Sequence, residues 1–102
     1  MKLYGIKTCD TCRKALKALP NAEFIDVRAT PLDRSELARF LEVFGAALVN
    51  TRSTTWRGMS DAERAADPLE QLLAHPTLMK RPVIDNGTLH LGWGKDVQAL
   101  LT

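Results

Sequence analysis

The feature that most constrains this chain is a pair of cysteines placed between a short apolar strand and a helix. Cys9 and Cys12 are the only cysteines in the sequence, and two residues separate them. The residues around them predict a strand over 2–6 and a helix over about 11–19. A Cys-x-x-Cys at the first turn of a helix that follows a strand is typical of a thiol redox site.

The position of the two cysteines also predicts their chemistry. A helix N-terminus offers free N–H groups and a partial positive charge, which favour a thiolate over a thiol. Lys7 and Arg13 flank the turn, and we expect them to lower the pKa of Cys9 further. Cys9 precedes the helix and is the better placed to attack, whereas Cys12 lies in the first turn and can resolve a mixed disulfide.

Two other interpretations of the cysteine pair stay open. A structural zinc site needs four ligands, and the only other residues of the usual type, His75 and His90, lack paired spacing. We therefore expect no metal. A structural disulfide between Cys9 and Cys12 would close so short a loop that it would constrain little of the unfolded chain.

Composition limits the classes of protein to consider. The 102 residues suit one domain, of which 45% are hydrophobic and 25% charged. A net charge of +2 without a basic block argues against a nucleic-acid partner. The chain lacks a signal peptide pattern and an apolar stretch of the roughly 18 residues that cross a membrane. We expect a cytoplasmic monomer that binds no membrane, in a compartment where a CxxC is more often catalytic than structural.

The order of elements predicts a thioredoxin-like fold of the α/β class. A second strand over 23–27 completes a βαβ unit, so the first two strands should be parallel. Asp33 or Ser35 can cap a second helix, which ends at Gly45. Near the C-terminus, Asn86-Gly87 between two apolar runs indicates a hairpin. A last helix over about 95–101 should bury three apolar side chains, namely Val97, Leu100 and Leu101.

The middle of the chain predicts a helical insert over about 46–79 within this single domain, which spans residues 1–102. Residues 46–57 are too polar for a buried strand and too rich in Thr and Ser for a comfortable helix. Short helices follow over 61–66, where Ser60 and Glu63 can form a capping box, and over 68–75. The predicted order is therefore β-α-β-α, the insert, and then β-β-α.

Three motifs resemble one family over nearly the whole chain. The opening, residues 4–15 (YGIKTCDTCRKA), resembles the ArsC-like branch of the thioredoxin superfamily. That branch contains glutaredoxin-coupled arsenate reductases, Spx transcriptional regulators and YffB-type proteins. Residues 50–57 (NTRSTTWR) are most similar to the YffB-type members, and residues 80–83 (KRPV) match the Arg-Pro that precedes the family's hairpin.

The resemblance implies roles for individual residues. It makes Cys9 the nucleophile, and Cys12 takes a position where these arsenate reductases carry serine and Spx proteins carry cysteine. It puts Arg52, Arg81 and Arg57 at or near positions that present basic groups to an anionic substrate. Pro82 would be the cis-proline that faces the thiol turn. One departure is that Gly5-Ile6-Lys7 replaces the His-Asn-Pro that opens the arsenate reductase motif.

From this resemblance we expect a glutathione-dependent thiol-disulfide oxidoreductase of the YffB type, with glutathione as co-substrate and no bound cofactor. One alternative is an arsenate reductase that uses glutathione or glutaredoxin. A second alternative is an Spx-like redox-sensing regulator that binds RNA polymerase.

Overall fold

The computed structural model describes residues 1–102. In chain order, the elements are β1 (Lys2–Gly5), α1 (Asp10–Ala18), β2 (Glu23–Asp26), α2 (Arg34–Phe44), α3 (Thr54–Arg57), α4 (Asp61–Arg64), α5 (Pro68–Ala74), β3 (Val83–Asp85), β4 (Leu89–Leu91) and α6 (Lys95–Leu101). They form two compact units: the first is Met1–Thr30 with Arg81–Thr102, and the second is Pro31–Lys80. No helix has both the length and the apolar character needed to cross a membrane.

The first unit contains a four-stranded sheet in the order β2-β1-β3-β4. β1 and β2 are parallel, as expected for strands joined by a helix, with Gly5 opposite Asp26. β3 is antiparallel to both β1 and β4. The hairpin turns at Asn86-Gly87, where Gly87 has a φ of 100° that favours glycine. These strands, in the predicted element order, confirm the thioredoxin-like α/β fold.

The core of the first unit forms where α1 packs on the sheet. Leu3 of β1 and Ile84 of β3 are paired in register, and both are fully buried beside Ala15 of α1. Burying each of these larger side chains contributes about 1.5–3 kcal/mol. Leu101 of α6 packs against this core as predicted. The prediction that Leu100 is buried was wrong: it is 70% exposed, because it lies about 100° around the helix from Leu101.

The second unit is a set of helices whose ends follow the predicted capping signals. Asp33 caps α2 by accepting a hydrogen bond from the Glu36 N–H at 2.9 Å. Gly45 ends α2 with a φ of 58°. Ser60 and Glu63 form the predicted capping box at the start of α4. The Asp33 and Ser60 side chains satisfy N–H groups that otherwise have no partner within the helix.

The second unit is larger than the insert over about 46–79 that the sequence predicts. It begins at Pro31, because α2 packs against α5 rather than standing apart from the helices that follow. A 3-10 helix (Gly45–Leu48) leads into the polar segment at 46–57. Within that segment, Val49 forms a single bridge to Met79, and Ser53 caps α3. That the two units fold together as one domain stays a prediction.

Candidate active site

Cys9 and Cys12 lie where the sheet meets α1, after a turn over residues 6–9 that we name the thiol turn. The Cys9 N–H donates to the Ile6 carbonyl at 3.1 Å, which closes the turn. The Cys9 carbonyl accepts the Arg13 N–H at 3.0 Å, so Cys9 is the N-cap of α1. Both cysteines are free thiols; Cys9 is half-buried, whereas Cys12 has no exposed surface. Only Cys9 is therefore open to a substrate.

The surroundings of Cys9 favour its thiolate. Burial alone would raise the pKa of Cys9, but the Cys12 backbone N–H, the Cys12 thiol and the Arg81 guanidinium together lower that pKa below its ordinary value. The side chain makes no capping hydrogen bond of standard geometry, so these groups act on the sulfur as nearby donors and charge. A thiolate at this sulfur is the form that attacks a disulfide.

Cys12 is held in the opposite state. Burial raises the pKa of Cys12 to about 12, and the neighbouring Cys9 raises it as well. The Ile6 backbone and the Arg81 charge act in the other direction but are outweighed. At neutral pH, Cys12 is therefore a protonated thiol that donates toward the Cys9 sulfur. The two cysteines form an unequal pair, with one acceptor and one donor.

Arg81 reaches Cys9 through the pairing of strands. It precedes β3, and β3 lies beside β1, the strand that leads into the thiol turn. Arg81 is half-buried, and its guanidinium contributes both a hydrogen bond and charge to Cys9. The Arg81–Pro82 peptide bond is cis, as predicted, and the place of Pro82 in a substrate site stays a prediction. Pro82 itself is buried.

Lys7 and Arg13 make contacts that hold the thiol turn. Arg13 Nε donates to the Lys7 carbonyl at 2.9 Å, and its guanidinium lies 3.9 Å from Asp10. Cys12 and Arg81 are groups that lower the pKa of Cys9, and that Lys7 and Arg13 lower it further stays a prediction. The contact between Arg13 and Lys7 fixes the backbone that leads into Cys9.

Asp26 is a site residue that the sequence reasoning missed. Its carboxylate accepts the N–H groups of Lys7 at 3.1 Å, Arg28 at 2.8 Å and Ala29 at 3.0 Å. It thereby ties the end of β2 to the thiol turn. The signal was available, because the carboxyl ends of parallel strands meet at one edge of a sheet, and Asp26 ends the strand beside β1.

Arg52 and Arg57 belong to the second unit. Both are exposed; the Arg52 N–H donates to Asn50 Oδ1 at 3.1 Å, and the Arg57 carbonyl accepts from Arg64 at 2.9 Å. These contacts fix the backbone of each residue. Their action on an anionic substrate stays a prediction.

The histidines are engaged elsewhere. His75 Nε2 lies 2.7 Å from Glu63 in the second unit, and His90 Nε2 lies 3.1 Å from Asn86 at the hairpin. No group of three or more His, Cys, Asp or Glu side chains is arranged to hold a metal ion. The donor geometry thus gives no support to the zinc interpretation of the cysteine pair.

Residues 4–99 match the ArsC family. The chain belongs to the ArsC family. An uncharacterized protein of Haemophilus influenzae is 39% identical over 108 residues, covering 95% of each chain. Family membership, together with the unequal thiol pair, supports a thiol-based oxidoreductase.

Solved structures of ArsC proteins resemble the chain closely. A YFFB protein has a TM-score of 0.89 at 34% identity and covers 98% of this chain and 96% of its own. An arsenate reductase related protein from Brucella melitensis has a TM-score of 0.72 at 34% identity, with 93% and 88% covered. An arsenate reductase from Vibrio cholerae, at 20% identity and a TM-score of 0.74, shares the fold.

Proposed function

We propose that this protein is a glutathione-dependent thiol-disulfide oxidoreductase in which Cys9 attacks and Cys12 resolves. The observation that carries the proposal is the unequal thiol pair. A half-buried thiol of lowered pKa lies beside a fully buried thiol whose pKa is raised to about 12. Such a difference suits sequential attack and resolution, because the accessible thiolate reacts first and the buried, protonated thiol is kept beside it.

In the first step, the Cys9 thiolate attacks the glutathione sulfur of a mixed disulfide. A bond forms between Cys9 Sγ and that sulfur, the original S–S bond breaks, and the substrate leaves as a thiolate that takes up a proton. Arg81 stabilises the thiolate before the attack. Its planar, permanently charged guanidinium also suits a carboxylate of glutathione.

In the second step, Cys12 attacks Cys9 Sγ and releases reduced glutathione. Once Cys9 is a neutral disulfide, its thiolate no longer raises the pKa of Cys12, and only burial still does. The Arg81 charge continues to favour the Cys12 thiolate. Formation of the mixed disulfide thus makes the resolving thiol easier to deprotonate. The resulting Cys9–Cys12 disulfide returns to two thiols by exchange with two further glutathione molecules, which leave as oxidised glutathione.

Arsenate reduction is a second candidate, supported by the similarity to the arsenate reductase related protein of Brucella melitensis. Arsenate is a small oxyanion that an arginine beside a thiolate can bind. The reaction would again use Cys9 as nucleophile, with glutathione or glutaredoxin as reductant. The regulator alternative stays a prediction.

An activity screen of the reduced protein separates these candidates. The assays are reduction of a glutathione mixed disulfide, of a disulfide lacking glutathione, and of arsenate, each with reduced glutathione supplied. We expect turnover of the glutathione mixed disulfide, and none by the Cys9→Ser variant. Preference for arsenate would support the second candidate, and equal turnover of both disulfides would contradict glutathione dependence.

A further inference from the structure

Position 5 lies directly against the resolving thiol. Gly5 is the last residue of β1 and is buried. A Cβ atom at this position would lie 2.5 Å from the Cys12 Sγ and 3.2 Å from the Cys12 Cβ. Atoms that are not bonded do not approach so closely, so the Cys12 thiol occupies the space that any other residue at position 5 would fill. Glycine inside a strand often marks a close approach of this kind.

The surroundings leave Cys12 little room to move away. The ring of Phe24 would lie 3.4 Å from the same added Cβ, so that atom has no free space toward Phe24 either. Cys12 has no exposed surface, and packed interiors absorb added atoms only by displacing side chains. A methyl group at position 5 would therefore push the Cys12 sulfur from its position beside Cys9.

The backbone of Gly5 is not strained, so the requirement for glycine is steric. Its φ lies outside the positive range, which in this chain is confined to Gly45, Gly87 and Gly92. An alanine at position 5 can adopt the same backbone conformation. The Gly5 carbonyl accepts the Val27 N–H at 2.9 Å, and this hydrogen bond does not depend on the side chain. Substitution should thus disturb Cys12 without altering the strand pairing.

We infer that Gly5 is a positioning residue that selects a two-thiol mechanism over a one-thiol mechanism. The inference rests on the proposed function, in which Cys12 resolves the mixed disulfide at Cys9. With glycine at position 5, Cys12 Sγ bonds to Cys9 Sγ, the disulfide to the substrate breaks, and the leaving sulfur takes the Cys12 proton. With a side chain there, Cys9 still attacks, but a second external thiol must release it.

A stoichiometric reaction with 2,2'-dithiodipyridine tests this inference without glutathione. One equivalent of the reagent releases pyridine-2-thione in a first phase, when Cys9 attacks, and again in a second phase, when Cys12 resolves the adduct. The first phase is measured at a pH above the pKa of Cys9, so that both proteins react as thiolates. In Gly5→Ala we expect the first phase to be nearly unchanged and the second to be slowed about a hundredfold, the scale of a displacement near 1 Å.

Matched variants distinguish a displacement of the Cys12 sulfur from a general loss of stability of the protein. Gly94→Ala is the control, because a Cβ there meets no atom within 4 Å. Cys12→Ala should lose the second phase, and adding Gly5→Ala to it should change neither phase further. If Gly5→Ala unfolds, the double variant Gly5→Ala with Cys12→Ala should regain most of the lost melting temperature, because the sulfur that clashes is absent.

The outcomes are distinct for the two proposals. A second phase of wild-type rate in Gly5→Ala, or a double variant that fails to fold while Cys12→Ala folds, would overturn the role of Gly5. Two phases in the wild type without turnover of a glutathione mixed disulfide would overturn the glutathione proposal and leave the role of Gly5 in place. A wild type without a second phase would contradict both.

Discussion

Arg81 stabilises the thiolate of Cys9, although the two residues come from distant parts of the chain. Strand pairing between β3 and β1 brings Arg81 to the thiol turn, where its guanidinium donates to the Cys9 sulfur. This one residue acts with Cys12 to keep the pKa of Cys9 below its ordinary value despite partial burial. Arg81 is thus a basic residue beside the sheet that affects the reactivity of Cys9, the residue that caps α1.

Replacing Arg81 by alanine should raise the pKa of Cys9 and weaken binding of an anionic disulfide. Loss of one charge-assisted contact costs roughly 1.5–3 kcal/mol, or about ten- to a hundredfold in affinity. Arg81→Lys should recover part of the loss, because it keeps the charge but not the planar fork. Titration of a glutathione mixed disulfide into proteins that also carry Cys9→Ser measures the affinity, with the exposed Lys95→Ala as the control for charge. Equal affinity in Arg81→Ala and Lys95→Ala would refute the contact.

Two replacements of Cys12 should act differently on Cys9. Cys12→Ser keeps a hydroxyl donor beside the Cys9 thiolate but cannot resolve, so a glutathione adduct should form on Cys9 and persist. Cys12→Ala removes the donor as well, so the pKa of Cys9 should rise and the adduct should form more slowly at neutral pH. Mass spectrometry after incubation with oxidised glutathione measures both. An adduct on Cys12 in Cys9→Ser, with none on Cys9 in Cys12→Ser, would reverse the two roles.

Asp26 should make stability depend on pH in acid. Hydrogen bonds from the Ala29, Lys7 and Arg28 N–H groups lower its pKa, in that order of size. Its pKa is therefore lower in the folded than in the unfolded chain, so its stabilising contribution is complete above the unfolded value of about 3.9 and is lost as pH falls through the folded value. Asp26→Asn should be less stable than the wild type near neutral pH, and the difference should shrink in acid.

Urea unfolding from pH 6 to pH 3 measures this difference. The exposed Asp96→Asn variant controls for the change in net charge. A gap between wild type and Asp26→Asn that stays constant or widens in acid would show that the carboxylate is not the stabilising group.

Arg52 and Arg57 provide a separate test of the anion site that the family resemblance implies. Arg52→Ala should weaken binding of glutathione or arsenate by about ten- to a hundredfold if its charge contacts the substrate. Arg57→Ala tests the same role. The fold should be unaffected, because both side chains are exposed. Binding titrations with each anion measure the effect, and unchanged affinity for both would make these arginines ordinary surface charges.

The sequence predicted those parts of the fold that depend on local signals. The Asn86-Gly87 turn, the Asp33 cap and the Ser60–Glu63 capping box all lie where neighbouring residues specify them. The apolar strand and the helical pattern that follows it likewise predict where α1 begins. For this reason the position of the two cysteines at a helix N-terminus could be predicted.

Contacts between distant segments could not be predicted in the same way. Arg81 is distant from Cys9 in sequence, yet its guanidinium acts on the Cys9 thiolate. The packing of α2 on α5, which places the start of the second unit at Pro31, likewise depends on tertiary contacts. The close approach of Gly5 to Cys12 appears only when β1 and α1 are both in place.

The central claim is that Cys9 is the activated thiol and Cys12 its protonated partner. Alkylation of the reduced protein with iodoacetamide across a range of pH, with each cysteine quantified by mass spectrometry, tests it most directly. We expect Cys9 to react with a midpoint below the ~8.5 of a free cysteine, while Cys12 stays unmodified near neutral pH. A Cys9 midpoint at or above that value, or alkylation of Cys12 before Cys9, would contradict the claim.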